Sequence, residues 1–388
     1  MSSSTVPART RRIVGLFPEL LGVGGVQEAG RLTAAGLRQI AAEKHWSFEF
    51  LCLNDSPGRH SLAVAGTEIP FYGFGRAKAR FAFSTALRAR HSSRKADLIV
   101  LAAHPNLAVP AQWMRRAAPR TKVLAVAHGI EVWEPLSMGR RRALCRADRV
   151  LAPSSYTIQK LIEVQGVAAQ KTVRLPWPLS PNLLRLAESP EKLRVPDGFP
   201  AGRIILTVGR WVSNERYKGA DALIRSIPRL LQAMPDLQFV AIGAGDDLPR
   251  LRALASEQGI AGRAHFFENL PPEKIAACYA ASEIFALPST GEGFGLVFLE
   301  AMAFGKPVIG VAAGGATDVV ENGVNGMLLP SQDPGALANA IEHLLGGAAL
   351  RRELGRNGAR IAREQYSFAA FRERLTGILD AVVAGEPV

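Results

Sequence analysis

Glu292 and Glu300 stand eight positions apart around the end of a glycine-rich stretch, Pro288-Ser289-Thr290-Gly291-Glu292-Gly293-Phe294-Gly295, which runs into an apolar segment and the turn Gly305-Lys306-Pro307. Two carboxylates separated by roughly 12 Å along a helical path can each accept hydrogen bonds from hydroxyls. Gly293 and Gly295 let the backbone approach a ligand closely. A helix opening at Leu296 and Val297 offers unpaired N–H groups and a positive dipole end, which suit phosphate. Hydroxyls at both ends with a diphosphate between them describe a nucleotide-sugar. The plain alternative is an ordinary loop-to-helix junction in which Glu292 complements the dipole and Glu300 faces solvent.

Other residues offer matching chemistry. Val208-Gly209-Arg210-Trp211 ends an apolar run, and Lys218-Gly219 follows eight residues after Arg210 at the start of a helical pattern. Arg210 by a forked contact and Lys218 as a point charge can neutralise a leaving diphosphate; a pair of solvated loop-end cations is the bland reading. His128, in Ala125-Val126-Ala127-His128-Gly129-Ile130-Glu131, sits at the end of another apolar run, where it can hydrogen-bond a ligand or move a proton. A structural histidine is the competing use, and His104 in Ala103-His104-Pro105-Asn106 is a second, weaker candidate. Gly22, Gly24 and Gly25, and again Gly243 and Gly245, resemble fragments of a dinucleotide fingerprint, but neither group completes it. Gly24 and Gly25 suit close backbone approach to a ligand. The chain has no Asp-x-Asp pair, Walker loop, H-E-x-x-H or G-x-S-x-G, so charge on a leaving group falls to protein side chains rather than to a metal.

The elements that must position these residues alternate between strand and helix. Strand patterns fall at 12–17, 48–53, 97–102, 122–127 and 149–152, with helical patterns at 27–44, 77–91, 106–116 and 156–165. A second series has strands at 203–208, 238–242, 264–267, 284–287 and 307–310 and helices at 219–234, 248–258, 272–281, 334–345, 350–366 and 368–383. Such alternation predicts parallel sheets wrapped by helices, and 388 residues suffice for two domains with ligands at the carboxyl ends of the strands. Six prolines between 176 and 200 exclude an ordinary helix or central strand there and mark the inter-domain linker. The expected division is 1–180, 181–365 and a final helix in 366–388.

Lys and Arg outnumber Asp and Glu by 26 to 11 through residue 180, whereas the remainder has 21 against 23. All of the net charge of +13 therefore comes from the first half, which can meet nucleic acid, an anionic membrane surface or a phosphorylated substrate. Residues 77–95 carry six Lys and Arg beside Phe81 and Phe83, with Phe71, Tyr72 and Phe74 just before them. That stretch is either a basic amphipathic surface for anionic lipid or a surface helix with an aromatic core side. Arg11-Arg12 and the apolar residues after them resemble a twin-arginine export signal, but Pro18 and Glu19 interrupt the run, and residues 12–17 read as the first strand. Three scattered cysteines, Cys52, Cys145 and Cys278, point to a reducing cytoplasm without a disulfide framework, and no apolar run is long enough to span a membrane.

Taken together, these segments resemble the family-4 retaining glycosyltransferases of the GT-B fold. The matching residues occur in order: Gly24-Gly25-Val26; His128-Gly129 with Glu131; Val208-Gly209-Arg210 with Lys218-Gly219; Pro288-Ser289 with Glu292-Gly293-Phe294-Gly295; and Glu300-Ala301-Met302-Ala303 with Gly305 and Pro307-Val308-Ile309. The resemblance implies two Rossmann-like domains facing a cleft, an N-terminal one for acceptor and a C-terminal one for donor, with the last helix returning to the first. It implies that Glu292 binds hydroxyls of the donor sugar, with the backbone of Phe294, Gly295, Leu296 and Val297 near sugar and phosphate. Glu300 would hold the ribose, Arg210 and Lys218 the diphosphate, and His128 the transferred sugar, while Gly25 would approach the diphosphate. Gly314-Gly315-Ala316-Thr317-Asp318 departs from the family at its last two positions, where Pro-Glu is more frequent.

The expected activity is a hexosyl transfer, retaining and metal-independent, from a UDP-, GDP- or ADP-sugar to a hydroxyl acceptor in polysaccharide or glycolipid assembly, without a separate cofactor. The acceptor is expected to be lipid-linked or otherwise anionic, at the inner membrane face, and nucleic acid is not an expected partner. The alternative is a nucleotide-sugar epimerase of similar two-domain plan. A NAD-dependent oxidoreductase and a catalytically silent sugar-nucleotide binder are more distant rivals.

Overall fold

A computed structural model of the chain describes residues 10–22 and 24–386; the polar residues 1–9 of the basic start, Val23 and residues 387–388 lie outside it. The described residues divide into two units, residues 1–178 with 368–388 and residues 179–367.

In unit 1, eight strands form one sheet: β1 (Thr10–Phe17), β2 (Ser47–Cys52), β3 (Gly58–Val64), β4 (Thr67–Gly73), β5 (Ala96–Ala102), β6 (Lys122–Val126), β7 (Arg149–Ala152) and β8 (Thr172–Arg174). Their order is β3-β4-β2-β1-β5-β6-β7-β8, parallel throughout except for the β3–β4 hairpin. The helices are α1 (Gly25–Glu43), α2 (Lys78–Ser92), α3 (Ala108–Ala117), α4 (Met138–Cys145) and α5 (Ser155–Glu163). Central strands buried on both faces explain the short continuous apolar runs, such as Val100, Leu101 and Ala102 in β5, all 0% exposed. The sequence pattern missed the hairpin, where Pro70 interrupts the strand signal. Pro70 is tolerated because β4 pairs with β2 only at Tyr72 and Gly73, beyond it. Arg11 and Arg12 both lie in β1, and Arg12 Nη2 donates to Glu49 Oε2 on β2 at 2.7 Å.

Unit 2 begins with α6 (Pro181–Glu188), which corrects the expectation that the proline-dense segment excludes a helix: Pro181 occupies the first helical position, where a missing N–H leaves no bond unmade. Six parallel strands follow, β9 (Arg203–Val208), β10 (Leu237–Ile242), β11 (Ala264–Phe267), β12 (Ile284–Ala286), β13 (Val308–Val311) and β14 (Gly326–Leu329), in the order β11-β10-β9-β12-β13-β14. They are covered by α7 (Ala220–Ala233), α8 (Leu248–Glu257), α9 (Pro272–Ala281), α10 (Leu296–Ala303), α11 (Pro334–Gly346) and α12 (Ala348–Gln365).

The last helix, α13 (Phe368–Ala384), belongs to unit 1 and packs along α1. Gly36 of α1 lets it approach: a β-carbon there would lie 3.4 Å from Leu375 and 3.5 Å from Phe371. Lys44 Nζ and Asp380 Oδ1 close the contact at 2.7 Å. Phe371 is fully buried and adjoins Trp177 with ring centroids 6.3 Å apart. Phe371→Ala is expected to destabilise unit 1 by about 3–5 kcal/mol through lost burial and a residual cavity, read from the shift of its urea midpoint.

Candidate functional site

In each sheet the strand order reverses between two neighbours, and the loops leaving those neighbours diverge at their carboxyl ends to make room for a ligand. In unit 2 the neighbours are β9 and β12, and the sequence candidates lie on the loops after them. Arg210 and Lys218 follow β9, and Glu292 follows β12. Lys218 Nζ donates to Glu292 Oε1 at 3.0 Å, and these side chains are 13% and 14% exposed. The same ammonium is 3.9 Å from Glu215 Oε2, while Glu215 Oε1 takes the guanidinium of Arg210, a side chain 72% exposed. Two cations thus alternate with two carboxylates, and only Arg210 reaches far into solvent.

Backbone contacts join these loops. Thr290 N donates to Tyr217 O at 2.9 Å, and Gln332 Nε2 bridges Tyr217 O and Pro288 O, each at 2.6 Å. The Tyr217 phenol is pushed above its ordinary range by burial and then by the nearby Glu215 and Glu292 carboxylates. Beneath Glu292 lies the turn at Gly314-Gly315, where Gly315 N donates to Glu292 O at 2.7 Å. A β-carbon on Gly314 would come within 2.6 Å of Glu292 O, and one on Gly315 within 2.4 Å of Gly293 O. Only glycine permits that approach. Asp318, at the departure from the family pattern, ends this turn, and its carbonyl accepts from Tyr366 Oη at 3.0 Å.

Gly295 caps α10 in a left-handed conformation, and half-buried Leu296 and Val297 form the first turn. Phe294 is 4% exposed, its ring against Tyr366, so its backbone rather than its side chain is suited to a ligand. Glu300 does not face solvent alone: its Oε2 accepts from Tyr279 Oη at 2.8 Å. Burial, and then the charge and hydrogen bond of Glu300, hold the Tyr279 phenol protonated well above its usual range. Gly243 and Gly245 serve packing. Their β-carbons would strike the carbonyls of Gly209 and Trp211, so they let the loop after β10 lie against the end of β9.

In unit 1 the order reverses between β1 and β5. Gly24 caps α1 after β1, and a β-carbon on Gly25 would meet nothing within 4 Å among the described residues. Asp55, itself buried, accepts from Leu20 N at 2.8 Å and Leu21 N at 3.2 Å and so fixes the loop before Gly24. His104 follows β5 and His128 follows β6, with ring centroids 6.0 Å apart. His128 Nε2 lies 2.8 Å from Ala103 O; a carbonyl only accepts, so Nε2 carries a proton, and Nδ1 is buried without a hydrogen-bond partner among the described residues. The ring stacks on Trp177 at 5.2 Å, and His128 N donates to Glu131 Oε1 at 2.5 Å. These contacts fix the tautomer and the plane of the His128 ring. Burial lowers the His104 pKa to about 4 against the raising influence of Glu131, with His128 and Arg140 adding to the fall.

Glu215, Tyr217, Tyr279, Gln332, Asp55 and Trp177 escaped the sequence reading. Glu215, three residues before Lys218 in a turn, was detectable from that spacing. The others reach their partners only through tertiary folding.

A family profile described as Glycosyl transferases group 1 matches residues 190–361, and one described as Glycosyltransferase Family 4 matches residues 30–182. The GDP-mannose-dependent alpha-(1-6)-phosphatidylinositol monomannoside mannosyltransferase of Mycolicibacterium smegmatis is 31% identical over 68% of this chain and 71% of its own. The D-inositol 3-phosphate glycosyltransferase of Acidothermus cellulolyticus is 30% identical over 64% of this chain and 57% of its own. Among solved structures, sucrose-phosphate synthase from Thermosynechococcus elongatus superposes with a TM-score of 0.74 at 22% identity, covering 97% of this chain and 100% of the other. Anabaena HepE in complex with UDP gives 0.69 at 20% identity, covering 95% and 100%. The likeness to these structures is one of fold.

Two outcomes are expected from this geometry. Glu215 pairs with Arg210, so a diphosphate that bound Arg210 would compete with that carboxylate, and Glu215→Gln is expected to tighten inorganic pyrophosphate binding about tenfold by calorimetry. Unchanged or weaker binding would show that Glu215 instead orients Arg210. The lowered His104 pKa means that the unfolded chain takes up the proton first as pH falls. Its contribution is complete above about pH 6.5 and is lost as pH falls towards 4, on the order of 3 kcal/mol. Urea titrations of His104→Gln should show a shallower loss across that window.

Proposed function

The chain belongs to the family-4 glycosyltransferases of the GT-B fold, and we propose that it is a retaining, metal-independent hexosyltransferase using a nucleoside diphosphate sugar. The observation that carries this reading is the Lys218–Glu292 pair at 3.0 Å, with Arg210 beside it and the start of α10 next in the chain. Arg210 and Lys218 take the diphosphate, Glu292 turns to hydroxyls of the transferred sugar, and Glu300 holds the ribose. Gly293 to Val297 lend backbone, and Gly24 and Gly25 admit the diphosphate at the start of α1. His128 contacts the transferred sugar near the reaction centre. Residues 1–180 serve the acceptor and 181–365 the donor.

In the reaction the bond between the anomeric carbon and the phosphate oxygen breaks, and the nucleoside diphosphate leaves with the electron pair. An acceptor hydroxyl oxygen bonds to the anomeric carbon on the same face, and its proton passes to the departing phosphate oxygen. Fixed cations suffice for the developing charge because they already stand at the loop ends and need little reorganisation. No covalent sugar–enzyme intermediate forms, and no cofactor is required beyond the donor.

Relatives named for a phosphatidylinositol monomannoside and for D-inositol 3-phosphate support an acceptor that carries phosphate. GDP-mannose is named for the first, and UDP is bound in a structure of similar fold; both fall among the UDP-, GDP- and ADP-sugars proposed as donor. We place the work at the inner face of a membrane, in glycolipid or polysaccharide assembly, on a lipid-linked or otherwise anionic acceptor. Among the described residues no helix is long and apolar enough to cross a membrane. The transferase and synthase names of the proteins compared do not favour the epimerase alternative.

The test is a thermal-shift screen of nucleoside diphosphates and their sugars, followed by transfer to phosphorylated polyols with the product anomer read by NMR. Lys218→Ala is expected to lower kcat/KM at least about a hundredfold in protein that circular dichroism shows to be folded, and also to lower the melting temperature because Glu292 is left unpaired. An inverted anomer, a trapped glycosyl-enzyme, or conversion of donor without acceptor would each refute the reaction as written.

A further inference from the structure

In unit 1, α2, α3 and α4 lie side by side, α2 against α3 and α3 against α4. Their inner sides, including Phe81, Met114 and Leu144, are core. Within their bounds the three helices carry nine Lys and Arg and no Asp or Glu. Some of that charge has protein partners: Arg88 pairs with Glu49, Arg115 with Asp148, and Arg141 Nε donates to Gln165 O. The side chains of Arg116 and Arg142, and of Arg146 just after α4, have no hydrogen bond or ion pair among the described residues.

The same helices expose large apolar side chains: Phe83 at 71%, Leu87 at 57%, Trp113 at 44% and Met138 at 66%. Between α3 and α4 runs a groove of about 280 Å³ lined by Trp113, Arg116, Arg142 and Arg146, and no carboxylate lines it. It adjoins a recess of about 530 Å³ that shares Arg116 and Arg146.

We propose that this outer face docks on an anionic phospholipid bilayer, with headgroup phosphates seated in the α3–α4 groove; it rests on the membrane reading above and names the surface that meets the lipid. Arginines without carboxylate neighbours are attracted to a negative bilayer surface, and phosphate fits their forked donors. Trp113, Phe83, Leu87 and Met138 then enter the zone between headgroups and acyl chains, where an aromatic ring and aliphatic carbons both gain. A nucleic-acid backbone satisfies the arginines equally well but offers Leu87 and Met138 nothing apolar. The combination of charge and aliphatic exposure therefore favours lipid. The groove contains none of the residues assigned to the sugar donor, so docking and transfer are separable.

Co-sedimentation of the full chain with vesicles of phosphatidylcholine alone, and of phosphatidylcholine with phosphatidylglycerol, tests this. Binding is expected only with the anionic lipid and should weaken as salt rises. Arg116→Glu combined with Arg142→Glu is expected to weaken it roughly tenfold or more. Leu87→Ser with Met138→Ser should lower it separately, and Arg360→Glu in unit 2 should leave it unchanged. Transfer to a soluble acceptor should persist in the groove variants, which separates failure of this surface from failure of the reaction. Circular dichroism confirms that each variant is folded. Absence of vesicle binding, indifference to the paired charge reversal, or displacement from vesicles by millimolar glycerol 3-phosphate would overturn the proposal. So would duplex DNA binding as tightly as the vesicles with the same arginine dependence.

Discussion

Lys218 and Glu292 form the contact on which unit 2 depends most directly, because their bond ties the loop after β9 to the loop after β12. Both side chains are largely withdrawn from water, so each charge needs the other: removing one partner would strand the second in a poorly solvated place. Around the pair, Gln332 bridges the two loops through their carbonyls, and Gly314-Gly315 supports the chain beneath Glu292. Arg210 is different. It projects into solvent with Glu215 as its partner, which leaves the outer cation free to exchange one anion for another.

The corresponding region of unit 1 is organised by neutral hydrogen bonds and stacking. His128 is fixed by the Ala103 carbonyl, by the Glu131 carboxylate at its backbone N–H and by the face of Trp177. Those three contacts set both the tautomer and the ring plane, leaving Nδ1 buried and without a hydrogen-bond partner among the described residues. Burial keeps His104 neutral near physiological pH, so it adds little charge to a unit already rich in arginine. That arginine is unevenly placed. Arg12 and Arg88 reach Glu49, whereas Arg116 and Arg142 stand without acidic neighbours on the outside.

Strand and helix alternation was legible because buried parallel strands and amphipathic helices impose different periods on the sequence. The elements missed were those whose local signal is weak or contradictory. These are the β3–β4 hairpin with Pro70, the short α4 dominated by arginines, β8 and β14 at sheet edges, and α6 inside the proline-dense segment. In and just before the 77–95 stretch, Phe71, Phe74 and Phe81 are core while Phe83 is exposed. Periodicity alone does not say which aromatic turns outward when a helix is covered on one side only.

By itself the sequence determined the types and order of the groups that can do chemistry: a carboxylate before a helix start, a second one inside that helix, two cations after an earlier strand, and a histidine closing another. Spacing along one loop or helix is local, and local geometry follows from residue type. What only the tertiary structure decided is which of those groups are partners. Lys218 and Glu292 lie 74 residues apart and meet because the strand order places β9 beside β12. Glu300 is claimed by Tyr279, and His128 by Ala103 and Trp177, through packing that no spacing encodes. A hydrogen bond or ion pair acts over a few ångströms, and residues distant in sequence come within that range only once the sheets have set their order.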